Sequence, residues 1–132
     1  MTTSTSELTD LLRHHSGSEQ VFRHPLARSV TYTEGVREFA ENAGGGAYWL
    51  LDILATEPSI LKLAGDGGMA FARLQVDGNR ARLEVNDGND SPPIYTRDLD
   101  HTDCPPGLWL FYLCATEVGE APVTMILLPS EY

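Results

Sequence analysis

The sequence predicts an α+β fold, with N-terminal helices packed on one face of an antiparallel sheet of about five strands. Two observations carry that expectation. Apolar residues recur at helical spacing up to about residue 64, whereas from residue 69 onward they alternate with polar ones between clusters of turn residues. Helices followed by a run of strands is the α+β order, and its simplest form is a β-meander with the helices on one side. At 132 residues the chain fits a single domain, 1–132, with a helical extension over 1–16, a mainly helical part over 17–64 and a mainly stranded part over 69–132. A domain of this size buries roughly two-thirds of its unfolded surface, so it needs no disulfide or metal to hold a core.

The first helix is expected over residues 4–15, where Leu8, Leu11 and Leu12 share a face, Ser6 stands as N-cap and Gly17 ends the segment. A brief extended piece follows over residues 19–24, stopped by Pro25, and Val30 to Tyr32 reads as another short strand. Thr33 then caps a second helix whose stripe is Val36, Phe39, Ala40 and Ala43, with Glu34, Arg37, Glu38 and Glu41 toward water. Gly44, Gly45 and Gly46 break it, since each glycine costs about 1 kcal/mol in a helix interior.

The segment from Ala47 to Ala55 is apolar nearly all round and reads as a helix buried on most sides. Asp52, its only charge, must lie at the water edge or find a partner. Pro58 ends that helix, and one more turn is expected over residues 58–63. Two alternating segments then flank Asp77-Gly78-Asn79, a tight hairpin turn. A longer turn over residues 86–91 leads to a third strand over 94–98. A fourth runs from Leu108 to Thr116, and a fifth from Val123 to Leu128 closes a hairpin through Gly119 and Glu120.

Charge is the strongest compositional signal: 19 acidic residues against 9 basic ones, a net of −10. The imbalance lies late in the chain, where Arg97 is the sole base after residue 83 against nine acids. Binding a phosphate backbone requires clustered cations, so direct contact with nucleic acid or an anionic membrane is excluded and a basic partner is favoured. Solubility alone is the competing explanation. Residues 1–6 carry neither a basic nor an apolar leader pattern, and no apolar run could span a bilayer, so a cytoplasmic protein is expected. Cys104 and Cys114 are expected as free thiols, Cys114 buried in an apolar run and Cys104 more exposed beside Pro105 and Pro106.

Little in the sequence points to catalysis. His101 and Cys104 make half of a zinc site, but no second half exists, and no cofactor motif is present. There is no Gly-x-Ser-x-Gly nucleophile elbow. The glycines at 44–46 precede a helix, where amides can hold an anion, but no P-loop Lys follows, so a bend between helices is expected. Glu19, Arg23, His24 and Tyr32, with Arg28 close by, form the one candidate polar site for a small ligand or acid–base chemistry. An ion-pair network that ties the loop to the helix after Thr33 explains the same residues.

Several ordered segments are informative together: Gly17-Ser18-Glu19-Gln20, Phe22-Arg23-His24-Pro25-Leu26, Tyr32-Thr33-Glu34-Gly35-Val36, Gly46-Ala47-Tyr48-Trp49-Leu50-Leu51-Asp52 and the closing Leu127-Leu128-Pro129-Ser130-Glu131-Tyr132. The set resembles a family of short uncharacterised bacterial proteins carried on plasmids and phages. It departs from that pattern at Asp87-Gly88-Asn89-Asp90, where the family has Asp-Gly-Asn-Gly, and in a longer glycine stretch at 44–46. The resemblance implies a mobile-element protein and brings no activity. Small acidic proteins of such elements often inhibit host defence.

The leading expectation is therefore a non-enzymatic inhibitor of a host nucleic-acid-binding defence complex, of the anti-CRISPR or anti-restriction kind. It would meet a basic host protein through Glu84, Asp87, Asp90, Asp98, Asp100 and Asp103, whose carboxylates would stand in for phosphates. The runner-up is the small-ligand or enzymatic site at Glu19, Arg23, His24 and Tyr32. A third is a homodimer formed through exposed Trp109 and Tyr112.

Overall fold

Alternation over residues 73–77 and 80–85, around a tight turn, produces the hairpin that adjoins the middle strand of the sheet. In the computed structural model, which describes residues 4–13, 21–65, 69–88, 92–118 and 121–131, strand β3 (Met69–Asp77) turns at Gly78 and Asn79 into β4 (Arg80–Asn86). Asp77 pairs with Arg80, and Gly78 supplies the positive φ (64°) of the two-residue turn. Ala70, Ala72, Leu74 and Val76 point to one side with Ala81, Leu83 and Val85, and all of them are buried.

Strand β5 (Tyr95–Leu99) continues this meander at one edge. The chain then crosses back, and β6 (Gly107–Val118) pairs with the other side of β3. Strand β7 (Ala121–Leu127) follows as a hairpin and lies parallel to β2 (Val30–Thr33), which pairs with β1 (Val21–Arg23). The sheet is thus seven-stranded and mixed, in the order β1-β2-β7-β6-β3-β4-β5, where the sequence predicts about five antiparallel strands in a meander. The two extra strands are the short pieces before the second helix. They join through the parallel β2–β7 pair, a tertiary choice that local alternation does not encode.

Helix α1 (Thr5–Arg13) starts at Ser4 rather than Ser6: the Ser4 hydroxyl accepts from the Glu7 amide (3.2 Å), as an N-cap does, and donates to the Glu7 carboxylate (3.1 Å). Helix α2 (Glu34–Asn42) is capped by Thr33 and buries the expected stripe of Val36, Phe39, Ala40 and Ala43 completely. Helices α3 (Tyr48–Thr56) and α4 (Pro58–Gly65) meet at Glu57, and α4 is longer than the single turn expected. Phe39 of α2 packs on Trp109 (5.6 Å) and Phe111 (4.9 Å) of β6, joining the helical layer to the sheet.

The crossing segment, residues 100–106, is tied along its length. Thr102 donates its amide to the Asn79 carbonyl (2.7 Å), the Cys104 amide donates to Thr102 Oγ1 (3.1 Å), and the Trp109 indole donates to the Pro105 carbonyl (2.9 Å). Thr5 of α1 donates to the Pro106 carbonyl (2.6 Å). Cys104 is consequently buried, and burial, with Asp103 adding to it, pushes its thiol up to about 12. Cys114 is the half-exposed one, which reverses the expectation: it lies at the outward phase of β6, opposite Met69. Trp109 is likewise buried, so it is not an exposed interface residue.

Candidate functional site

Cross-strand partners share a face, so the register divides the side chains of β6, β3, β4 and β5 into an inward and an outward set. The outward set holds Leu108, Leu110, Tyr112 and Cys114 on β6, and Phe71, Arg73, Gln75 and Asp77 on β3. It continues with Arg80, Arg82 and Glu84 on β4 and with Thr96 and Asp98 on β5. Leu108 and Leu110 are 44% and 43% exposed there. Phe71 meets Tyr112 edge-on (4.9 Å), and a cleft of about 340 Å³ lies among Phe71, Arg73, Asn86, Leu108, Leu110 and Tyr112. Toward β2 and β7 the same face is closed, with Thr31, Val123 and Leu127 buried. Gly88, at φ 87°, folds over the edge of Phe71, where a Cβ would come within 2.4 Å of the ring.

The acidic residues singled out from the sequence do not share one environment. Asp98 bonds Arg82 (3.0 Å), and the same guanidinium lies 3.9 Å from Glu84, which is half-buried. Asp98 and Asp100 line a second cleft of about 330 Å³ together with Asp77, Arg80 and Arg82. Asp87 is exposed just past β4. Asp103 accepts from the Gly45 amide (2.7 Å) and packs against Gly44, where a Cβ would fall 2.2 Å from the Asp103 carbonyl. The glycine loop does hold an anion, and that anion is the chain's own carboxylate. Asp90 lies outside the described residues.

The proposed polar site is not brought together either. His24 is buried and leaves the loop toward α3: its Nδ1 accepts from the amides of Leu26 (3.2 Å) and Ala27 (3.0 Å), which places the proton on Nε2, 2.8 Å from Asp52 Oδ1. Asp52 thereby finds the partner its apolar helix demands, while its side chain remains 58% exposed. Arg23 is exposed on the face of β1 away from Tyr32, because Arg23 aligns with Thr31 and Phe22 with Tyr32. Glu19 lies outside the described residues. Tyr32 belongs to a different cluster. Phe22 stacks on it (5.7 Å), Arg37 sits over the Phe22 ring (4.5 Å), and Glu41 joins Arg37 (2.9 Å) to the Tyr48 hydroxyl (3.1 Å). Burial raises both phenols, and Glu41 adds to this.

The closing motif has a structural explanation. In the 3₁₀ turn Pro129–Glu131, the Glu131 carboxylate accepts from Thr33 Oγ1 (2.6 Å), the Gly35 amide (3.3 Å) and the Leu128 amide (3.0 Å), capping α2 from the far end of the chain. Gly35 leaves the space for this, since a Cβ there would meet Leu128 Cδ1 at 2.6 Å and Glu131 Oε1 at 2.7 Å. Among the described residues no group of three or more His, Cys, Asp or Glu side chains could hold a metal, and no helix is long and apolar enough to cross a membrane.

Sequence reasoning missed the cleft between α3 and β5, lined by Trp49, Asp52, Ile53, Arg97, Leu99 and His101. Its signal was present: helical i, i+3, i+4 spacing on one wall and period-2 spacing on the other.

The model of a family of unknown function (DUF6876) matches residues 6–132, nearly the whole chain. No curated protein and no solved structure shows a match.

Proposed function

The chain belongs to that family, which brings no activity with it, and we propose from its geometry a non-enzymatic interaction protein that docks on a basic protein partner. The observation that carries this reading is the open β6–β3–β4–β5 face, where Phe71, Leu108, Leu110 and Tyr112 stand half-exposed at the centre of a sheet. Large apolar side chains gathered on one surface mark contact sites more often than they mark chance. Beside them, Asp77, Asp98 and Asp100 line a cleft shared with Arg80 and Arg82. The net charge of −10 supplies long-range attraction to a basic protein, which the apolar centre then grips.

The narrower reading, an inhibitor from a mobile element that occupies a host nucleic-acid-binding defence complex, rests on the same charge. A continuous phosphate-like track is the weaker part of it, because Asp98 pairs with Arg82 and Asp103 with the glycine loop. Surface contact with a basic nucleic-acid-handling protein needs only the net field and the open face.

The test is capture from bacterial host lysate by three baits: the natural chain, Leu108→Asp/Leu110→Asp, and Asp98→Lys/Asp100→Lys. A basic protein held by the natural chain, lost with the first variant and weakened in a salt-dependent way by the second supports the reading. Equal capture by all three, or capture of nothing basic, overturns it.

A further inference from the structure

We propose that the cleft between α3 and β5 binds a small zwitterion with an apolar side chain, of which a free α-amino acid is the simplest. This inference is independent of the docking face, which lies on the other side of the sheet.

The two walls are built by two different periodicities. Trp49, Asp52 and Ile53 fall at i, i+3, i+4 on α3, on the flank left over when Leu50, Leu51, Leu54 and Ala55 turn into the core. Arg97 and Leu99 lie on the inward phase of β5, with His101 two residues further on. Strand β5 lies at an edge of the sheet, and a cleft of about 330 Å³ remains between its inward phase and α3. That volume is at the small end of ligand pockets, which run from roughly 300 to 1,000 Å³.

Its charges are arranged for a dipolar guest. Asp52 Oδ1 is fixed by the buried His24, 2.8 Å away. Since Nδ1 of that ring is occupied by two backbone amides, the imidazole donates from Nε2 as a neutral group and leaves the carboxylate charge uncancelled. The second oxygen of Asp52 has no protein partner among the described residues, and its side chain is more than half exposed. Arg97, on the opposite wall, forms no ion pair among the described residues, with Asp52 or with any other acid. A pre-oriented carboxylate and a free guanidinium that share one cleft without closing on each other match an ammonium and a carboxylate on one small molecule. Trp49, Ile53 and Leu99 give its side chain an apolar wall, and His101 adds a hydrogen-bonding group beside Arg97.

The two tryptophans make the test direct. In ¹⁵N-labelled protein, the Trp49 indole N–H reports on the cleft, while that of Trp109, bonded to Pro105 in the core, serves as internal reference. Titration with L-phenylalanine and with L-leucine up to about 10 mM should move the Trp49 signal saturably and leave Trp109 in place. N-acetyl-L-phenylalanine lacks the ammonium and L-phenylalaninamide lacks the carboxylate, so each should bind roughly tenfold more weakly or not at all. Asp52→Asn keeps an acceptor for His24 and removes the charge, and Arg97→Gln lies on an exposed edge; each should weaken binding by a similar factor. If Asp52→Asn fails to fold, Arg97→Gln with the two blocked ligands carries the test. No saturable shift, or blocked ligands that bind as well as the free amino acids, overturns the proposal.

Discussion

The two ends of the sheet treat their polar groups in opposite ways. At the β1–β2–β7 end they are consumed by the fold. Glu131 satisfies two donors at the start of α2 and the Leu128 amide in its own turn, and Thr33 both caps that helix and donates to Glu131. At the β3–β4–β5 end, Arg80, Arg97 and Asp100 stand exposed without an ion pair among the described residues, and on neighbouring β6 Leu108 and Leu110 are half in water. Motifs that look functional because they are distinctive, such as Thr33-Glu34-Gly35 and Pro129-Ser130-Glu131, turn out to be the two halves of one structural lock. The unremarkable alternating strands carry the available surface. A conspicuous motif and an available one are different things, and only the second can meet a partner.

The strongest way to break this comparison is at Gly35. Gly35→Ala drives a methyl group to within 2.6 Å of Leu128 Cδ1 and 2.7 Å of Glu131 Oε1, so both side-chain ends must shift and the carboxylate that caps α2 leaves its present position. The expected loss is about 2–3 kcal/mol in urea unfolding, with the m-value unchanged. A loss below about 0.5 kcal/mol would mean that the lock is decorative and that the C-terminal motif must be explained by function.

His24 comes next. His24→Leu preserves much of the buried volume but strips the Leu26 and Ala27 amides of their acceptor and Asp52 of its donor. It should cost about 2 kcal/mol, chiefly for the unsatisfied amides. The folded variant should retain partner capture through the open face. A loss of capture at unchanged stability would instead place His24 in a binding site.

How much of this was legible in the sequence depends on whether the deciding interactions were local. The α2 stripe and the Asp77-Gly78-Asn79 turn were readable because helix period and turn chemistry act over a few residues. The parallel β2–β7 pair was not, because it joins segments from opposite ends of the chain and leaves no local trace. Cys104 was misplaced because tertiary hydrogen bonds bury the crossing segment, and Cys114 and Trp109 for a second reason. Residues 108–114 are apolar on both phases of the strand, so alternation cannot say which phase faces inward. The candidate site suffered most. His24 reads as a neighbour of Arg23 in sequence, yet its chemistry lies with Asp52 on another element, and the acidity of the last third of the chain is not the acidity of one face.

Cys104 offers a smaller and pH-dependent effect. Its folded thiol, raised to about 12 by burial, lies above the unfolded range, so the neutral form is favoured in the native state. The linked stability is intact below about pH 9, where the unfolded thiol begins to ionise, and is lost as pH rises toward 12, by about 1.4 kcal/mol at pH 10. Unfolding midpoints measured between pH 7 and 10 (roughly the span over which the free thiol titrates) should therefore fall in the natural chain and fall less in Cys104→Ala. In the native protein a thiol reagent should modify the half-exposed Cys114 before Cys104. The reverse order of labelling would place the crossing segment outside the core.

The smallest expected effect is the one that sharpens the comparison most. Asp98 and Arg82 are 71% and 51% exposed, so their 3.0 Å contact is screened by water and by salt. Asp98→Asn should lower stability by only about 0.2–0.5 kcal/mol, and even that should vanish at about 0.5 M salt. Because the pair contributes so little to the fold, both side chains can exchange each other for groups on a partner at almost no cost. A loss above about 1 kcal/mol that persists in salt would show that β4–β5 spends its charges internally, as the Glu131 lock does. The open face would then shrink to its apolar centre, and charge would contribute to docking only through the long-range field of the whole chain.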